Sequence, residues 1–142
     1  VRILSSAACL SLVGAIELVS PGNKDRLEAR RAFAAKCVAY LTRGIGLIVA
    51  DIVTNRLANM HNEIVASLGH SRPFTLDESM ATYAVAYRPA RRSVGDQIEI
   101  WPRPLTVGDS LPILPLALRG AETVPVDLDE TYHEACVRSR LD

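Results

Sequence analysis

The sequence predicts one α/β domain, a mixed sheet around a βαβ core, followed by a proline-rich C-terminal hairpin region and a terminal helix. Three observations carry this. Residues 10–19 and 46–54 are short apolar runs rich in branched side chains, and a helix signal fills the space between them. Strand, helix, strand with short connections makes two parallel strands joined by a right-handed crossover. A chain of 142 residues is about one domain long.

Each element has its own signature. LSLVGAIELV, residues 10–19, is too short for a typical helix and nearly all apolar, which suits a strand covered on both faces. SPGN ends it. Asp25 with Glu28 three residues later is a capping-box pattern, so a helix is expected from there to Arg43, with Gly44 as its stop. Ala34, Cys37, Val38 and Leu41 share one face of that helix, flanked by Phe33. GLIVADIVT, residues 46–54, reads as the second buried strand. Residues 59–68 predict a short helix closed by Gly69, and residues 70–79 a polar loop. ATYAVAYRP and QIEIWP alternate as a hairpin does, joined by the turn ARRSVGD at residues 90–96. Prolines 89, 102, 104, 112, 115 and 125 restrict the later half to edge strands and extended loops. Asp127 with Glu130 starts a last helix reaching about Arg138.

The composition is 49% hydrophobic and 23% charged, with 16 Lys+Arg against 16 Asp+Glu, which excludes a disordered or collagen-like chain and argues against a generic polyanion binder. Three cysteines, Cys9, Cys37 and Cys136, form no C-x-x-C pair, so a reducing cytoplasmic setting is expected. Glu17 interrupts the opening apolar run, which argues against a signal peptide, and no uncharged stretch approaches the roughly 20 residues of a membrane span. The chain begins at Val1 rather than Met, which leaves room for residues ahead of it in a longer gene product.

Charge is unevenly placed. Of the sixteen basic residues only Lys24 and Lys36 are lysines, and both fall in the first helical segment. Residues 23–43 carry six bases and two acids, whereas residues 122–134 carry five acids and no Lys or Arg. The basic helix can face nucleic-acid phosphates, stand as plain solvated surface, or answer the acidic tail within the fold or in a homodimer. Two acids sit where the pattern asks for none. Glu17 lies within the first strand beside Val13, Ala15 and Val19, and Asp51 lies inside LIVADIV. A carboxylate in a buried strand costs several kcal/mol unless it is paired, hydrogen-bonded or bound to metal. Two readings stand: Glu17 pairs with an arginine and Asp51 caps a loop or bonds backbone amides, or each is a metal ligand at the carboxyl end of the sheet. Lys36 reads either as a snorkelling surface residue or as a functional neighbour of Tyr40, and Lys24 as an exposed turn residue or as a charge beside a carboxylate-held metal. His61, His70 and His133 lack zinc-like spacing, and Cys37 reads as core.

The stretch IELVSPGNKDRLEARRAFAAKCVAYLTRGIGLIVADIVT resembles a bacterial family of unknown function, the domain-of-unknown-function family numbered 4058, and LPILPLALRG with VPVDLDETY is similar to that family's tail. More distantly, the same stretch is similar to the Uma-type proteins of the PD-(D/E)XK, restriction-endonuclease-like fold: Glu17, Ser20, Pro21, Lys36, Tyr40 and Gly44 occupy matching places. The resemblance implies that fold. In its nucleases two acids hold Mg²⁺ and a lysine orients or activates the attacking water. Carried across, Glu17 is a metal ligand and Lys36, or Lys24, is the lysine; the other acid lies upstream of Val1, or Asp51 substitutes for it as a metal ligand, or catalysis is lost. The chain departs from the pattern in two ways: residues 1–16 contain no acid, and Val19 stands where the E-x-K lysine would be.

The function expected from this reading is a cytoplasmic protein of nuclease-like fold with a degenerate or incomplete Mg²⁺ site. The alternatives are an active Mg²⁺-dependent phosphodiesterase on nucleic acid, which needs Glu17, Lys36 and a further acid on one accessible spot, and a self-associating module.

Overall fold

Two apolar runs form the centre of a five-stranded sheet: β2 (Ser11–Leu18) and β3 (Gly46–Asp51) lie side by side in parallel, from Gly14 opposite Gly46 to Leu18 opposite Ala50. The computed structural model describes residues 1–7 and 9–140. All six residues of β3 are buried, as a strand covered on both faces requires. The sheet runs β1-β2-β3-β4-β5, with β1 (Arg2–Ser5) antiparallel on one edge and the long hairpin β4 (Tyr83–Arg92) and β5 (Gly95–Pro104) antiparallel on the other. Mixed α/β architecture with one parallel pair is therefore established.

The crossover differs from the expected single helix. Pro21 opens a short helix α1 (Pro21–Asp25), Arg26 adopts an extended conformation, and α2 (Leu27–Thr42) starts afresh. Proline at a first helical position favours such a start. The capping box belongs to Ser20 and Asn23, whose side-chain oxygen accepts the Ser20 amide at 2.8 Å. Asp25 is not the cap; its carboxylate receives Arg56 Nε at 2.6 Å. Because α1 and α2 are separate, Lys24 turns inward and is 4% exposed. Gly44, at φ +76°, ends the helical layer where only glycine is unstrained.

After β3 comes α3 (Met60–Ser67), capped by Asn59, whose Oδ1 accepts the Asn62 amide at 3.0 Å. The hairpin strands are longer than their apolar alternation suggested, leaving only Ser93 and Val94 between them. Opposed charges extend the ladder, Arg88 facing Glu99 and Arg91 facing Asp96, and Gly95 at φ +120° permits the tight reversal. A second, two-stranded sheet follows, β6 (Ile113–Ala117) antiparallel to β7 (Thr123–Asp127), with Pro115 opposite Pro125. The chain then enters α4 (Leu128–Ser139), capped by Asp127 accepting the Glu130 amide at 3.0 Å.

The five-stranded sheet is covered differently on its two faces. On one, Phe33, Ala34, Cys37 and Leu41 of α2, with Met60 and Ile64 of α3, pack on Val49, Val85 and the two tyrosines Tyr83 and Tyr87. On the other, Ile48, Ala50, Ala84 and Ala86 receive Leu114 and Leu116 of β6. The alanines and one glycine set how closely that ribbon can approach: a Cβ on Gly46 would stand 2.0 Å from the Ala117 carbonyl oxygen. Among the described residues no helix is long and apolar enough to cross a membrane.

The Gly46 contact is with backbone that has no room to yield. Gly46→Ala should destabilise the fold by about 3 kcal/mol, the upper end of overpacking costs, with the loss read from the urea midpoint. A midpoint equal to wild type would show that β6 does not rest on β3.

Candidate functional site

Glu17 stands on β2 on the face that α2 covers, and α2 brings two groups to it. Lys36 Nζ donates to Oε2 at 2.9 Å, and the Tyr40 hydroxyl donates to Oε1 at 3.3 Å. Lys36 and Tyr40 are four residues apart, so one turn of helix aims both at the same carboxylate. The ammonium also lies 5.1 Å from the centre of the Phe33 ring, which supports its stem. The pair is lopsided in exposure: the lysine side chain is 43% exposed and the glutamate 16%. An open groove of ≈ 370 Å³ lined by Asn23, Ala29, Ala32, Phe33 and Lys36 runs beside it. Burial pushes the Cys37 thiol up to about 12, Glu17 adding to the rise and Lys36 opposing it, so this thiol stays protonated and unreactive.

Asp51, at the end of β3, is wholly buried and has a different set of partners. Lys24 Nζ is 2.7 Å from Oδ2, the Tyr83 hydroxyl donates to the same oxygen at 2.9 Å, and the Val53 amide donates to Oδ1 at 3.1 Å. The remaining protons of Lys24 are directed at the carbonyls of Val53, 3.1 Å away, and Arg56, 3.4 Å away. Tyr83 in turn accepts the Met60 and His61 amides at 2.9 and 3.1 Å, satisfying the first turn of α3. His61 continues the network: its Nε2 lies 2.8 Å from the Phe74 carbonyl and must donate to it, so Nδ1 accepts the Tyr87 hydroxyl at 2.6 Å. Burial lowers the His61 pKa, against the Phe74 hydrogen bond that raises it, and the ring is neutral. Burial, and next the charge of Asp51, lift the Tyr83 hydroxyl well above its ordinary range, so it remains a donor.

The structure thus brings Lys36 to Glu17 and Lys24 to Asp51, each acid with its own lysine. It replaces the expected arginine partner of Glu17 with Lys36, and the exposed-turn reading of Lys24 with a buried charge. β1, the strand antiparallel to β2, holds Arg2, Ile3, Leu4 and Ser5 and no acid. Among the described residues no group of three or more His, Cys, Asp or Glu could hold a metal ion. Three of the six bases of the basic segment are answered by acids of other elements, Lys24 by Asp51, Arg30 by Glu63 and Lys36 by Glu17. No ion pair among the described residues joins it to the acidic segment 122–134.

Sequence reasoning missed the roles of Tyr83, Tyr87 and His61. Their signal was present: Tyr83 and Tyr87 alternate with Ala84 and Ala86, which places both hydroxyls on one face of the strand beside an orphan aspartate. Comparison with known proteins adds no relative: no protein-family model, curated protein or solved structure matches the chain.

Two outcomes follow for this network. Asp51→Asn strands a buried ammonium and should cost about 3–5 kcal/mol, whereas the Lys24→Met/Asp51→Leu double variant should lose about 2 kcal/mol less than the two single variants together; additive losses in urea melts would refute the coupling. For His61 the folded pKa lies below the unfolded value near 6.5. The unfolded chain therefore takes up the proton first, and the stabilisation is whole above about pH 6.5 and declines as the pH falls from there towards the folded value. Wild type should lose more stability between about pH 7.5 and 5.5 than His61→Gln does, and parallel pH profiles would contradict this.

Proposed function

We propose that the protein is a restriction-endonuclease-like scaffold of the reducing cytoplasm, akin to the bacterial domain-of-unknown-function family numbered 4058, whose divalent-metal site is incomplete. The observation that supports this most is that each strand carboxylate is occupied by a lysine, Asp51 by Lys24 at 2.7 Å and Glu17 by Lys36 at 2.9 Å. Support for the fold comes from the antiparallel strand β1, the Glu17-bearing β2, the crossover through α2 with Lys36 and Tyr40, and the parallel β3 ending in Asp51. Three free cysteines suit a reducing compartment.

The residues present do not fit a bound Mg²⁺. Such an ion wants near-octahedral oxygen ligands at roughly 2.1 Å, commonly one or two carboxylates with waters and substrate oxygens. Here an ammonium lies where a cation would meet the Asp51 Oδ2 atom, and the other oxygen is taken by the Val53 amide. A second reading, a Mg²⁺-dependent phosphodiesterase using Glu17 and Lys36, is favoured by one observation: the lysine of that pair lines an open groove. It requires Glu17 to exchange its lysine for the ion.

Thermal-shift titration separates the two. With Mg²⁺ or Mn²⁺ raised to about 10 mM, the melting temperature of wild type and of Glu17→Gln should move together and by no more than ordinary salt produces; a saturable rise in wild type that Glu17→Gln abolishes would favour the phosphodiesterase.

A further inference from the structure

Half of the bases of residues 23–43 are paired inside the fold, and a second group of basic residues lies on the hairpin. Arg88, Arg92 and Arg103 alternate with Trp101 and Glu99 so that all point to the face of the sheet that β6 covers. Among the described residues Glu99 is the acid that pairs with two of them. It receives both Arg88 and Arg92, hydrogen bonds that hold its carboxyl below the usual range, and so one guanidinium charge stays in excess before Arg103 is counted. Arg88 also lies over the Trp101 ring, 5.5 Å from its centre. Beyond Tyr87 the ribbon has no strand neighbour on its β3 side among the described residues, because β3 pairs with Tyr83–Tyr87. Arg88 and Arg92 therefore stand on a projecting arm, and Arg103, opposite Ala84, stands at the inner end of the same face.

The opposite charge lies on the same side of the molecule. Leu128 of α4 and Trp101 pack against the same core cluster, so the helix and the arginine face border one surface. No residue of α4 is buried. Its apolar stripe, Leu128, Tyr132, Ala135 and Cys136, is half-buried at Leu128 and Cys136 and open between them, where Tyr132 is 65% exposed. Of the acids around it, Glu134 pairs with Arg138 of the same helix and Asp129 accepts the Leu111 amide, while no ion pair among the described residues joins any of them to the hairpin.

We propose that α4 of one copy docks on the Arg88–Arg92–Arg103 face of a second copy of this chain, and reciprocally. Two complementary patches on one surface can satisfy each other twice around a two-fold axis, which closes a dimer instead of growing a filament. A basic patch on the opposite, α2 face would have required head-to-tail assembly. The occupant is a second copy because this chain itself carries the matching acidic helix, with the exposed Tyr132 and Ala135 of its apolar stripe to bury between the copies. The inference is independent of the metal question, and the measurements are made in EDTA.

Charge exchange tests it. At about 100 μM protein and 20 mM salt, light scattering should report a dimer that dissociates near 500 mM salt, where the screening length has shortened several-fold. Arg92→Glu/Arg103→Glu and Glu130→Arg/Glu134→Arg should each weaken self-association by about tenfold or more, and an equimolar mixture of the two should regain a dimer at low salt. Arg92→Ala/Arg103→Ala, which avoids placing a new acid beside Glu99, should weaken it in the same direction while melting within a few degrees of wild type. A monomer at low salt, a dimer indifferent to salt, or variants whose mixture fails to recover it would each overturn the proposal. So would a wild-type monomer that binds a labelled DNA duplex through the same arginines.

Discussion

One ammonium group joins parts of the chain that local structure alone would leave apart. Lys24 comes from a five-residue helix, its counter-ion Asp51 from the end of the central strand, and its two carbonyl acceptors from the segment that follows. Through Tyr83 the same carboxylate reaches β4 and the start of α3. A buried ion pair is weak evidence of net stabilisation, because desolvating two charges offsets much of their attraction. What it imposes is geometry. A lone Lys24 or a lone Asp51 in that place would be far more costly than the pair, so arrangements that separate them are disfavoured and the crossover is locked to one end of the sheet.

Glu17 and Lys36 form a pair of a different kind. Their contact is as short as many buried ones, yet the lysine is nearly half exposed, and solvent screens the interaction. It bonds to an acid set among apolar residues, which explains why Glu17 is tolerated there, and it leaves one charged group at the edge of an accessible groove. The two pairs thus divide two tasks on one sheet face: the deeper one fixes the chain path, and the shallower one faces the exterior.

Much of the central layer was legible in the sequence, for physical reasons. Two apolar runs flanking a capped amphipathic segment leave few alternatives to a βαβ unit, and Asp51 and Glu17 announced themselves as acids needing partners. Which partners they would find was not legible, since that depends on Arg26 breaking the helix and turning Lys24 inward, and no local propensity marks arginine as a breaker. Nor was β1, whose four residues carry a weak pattern and are held as a strand by Ala15, Gly14, Leu12 and Ser11 across the ladder. The length of the hairpin was understated because alternation of hydrophobic residues stops at Tyr87, while alternation of opposite charges continues the pairing to Arg92 and Gly95. Tyr83, Tyr87 and His61 escaped notice because aromatic residues at strand spacing describe ordinary core equally well.

The Tyr83 hydroxyl has a consequence for how motion spreads. First-turn amides of a helix ordinarily lack intrahelical partners and exchange their protons readily. Here Met60 and His61 give theirs to an oxygen carried by a central strand. Their exchange is thereby coupled to separation of α3 from β4 and not to fraying of the helix end, so the start of α3 belongs to the same cooperative unit as the sheet.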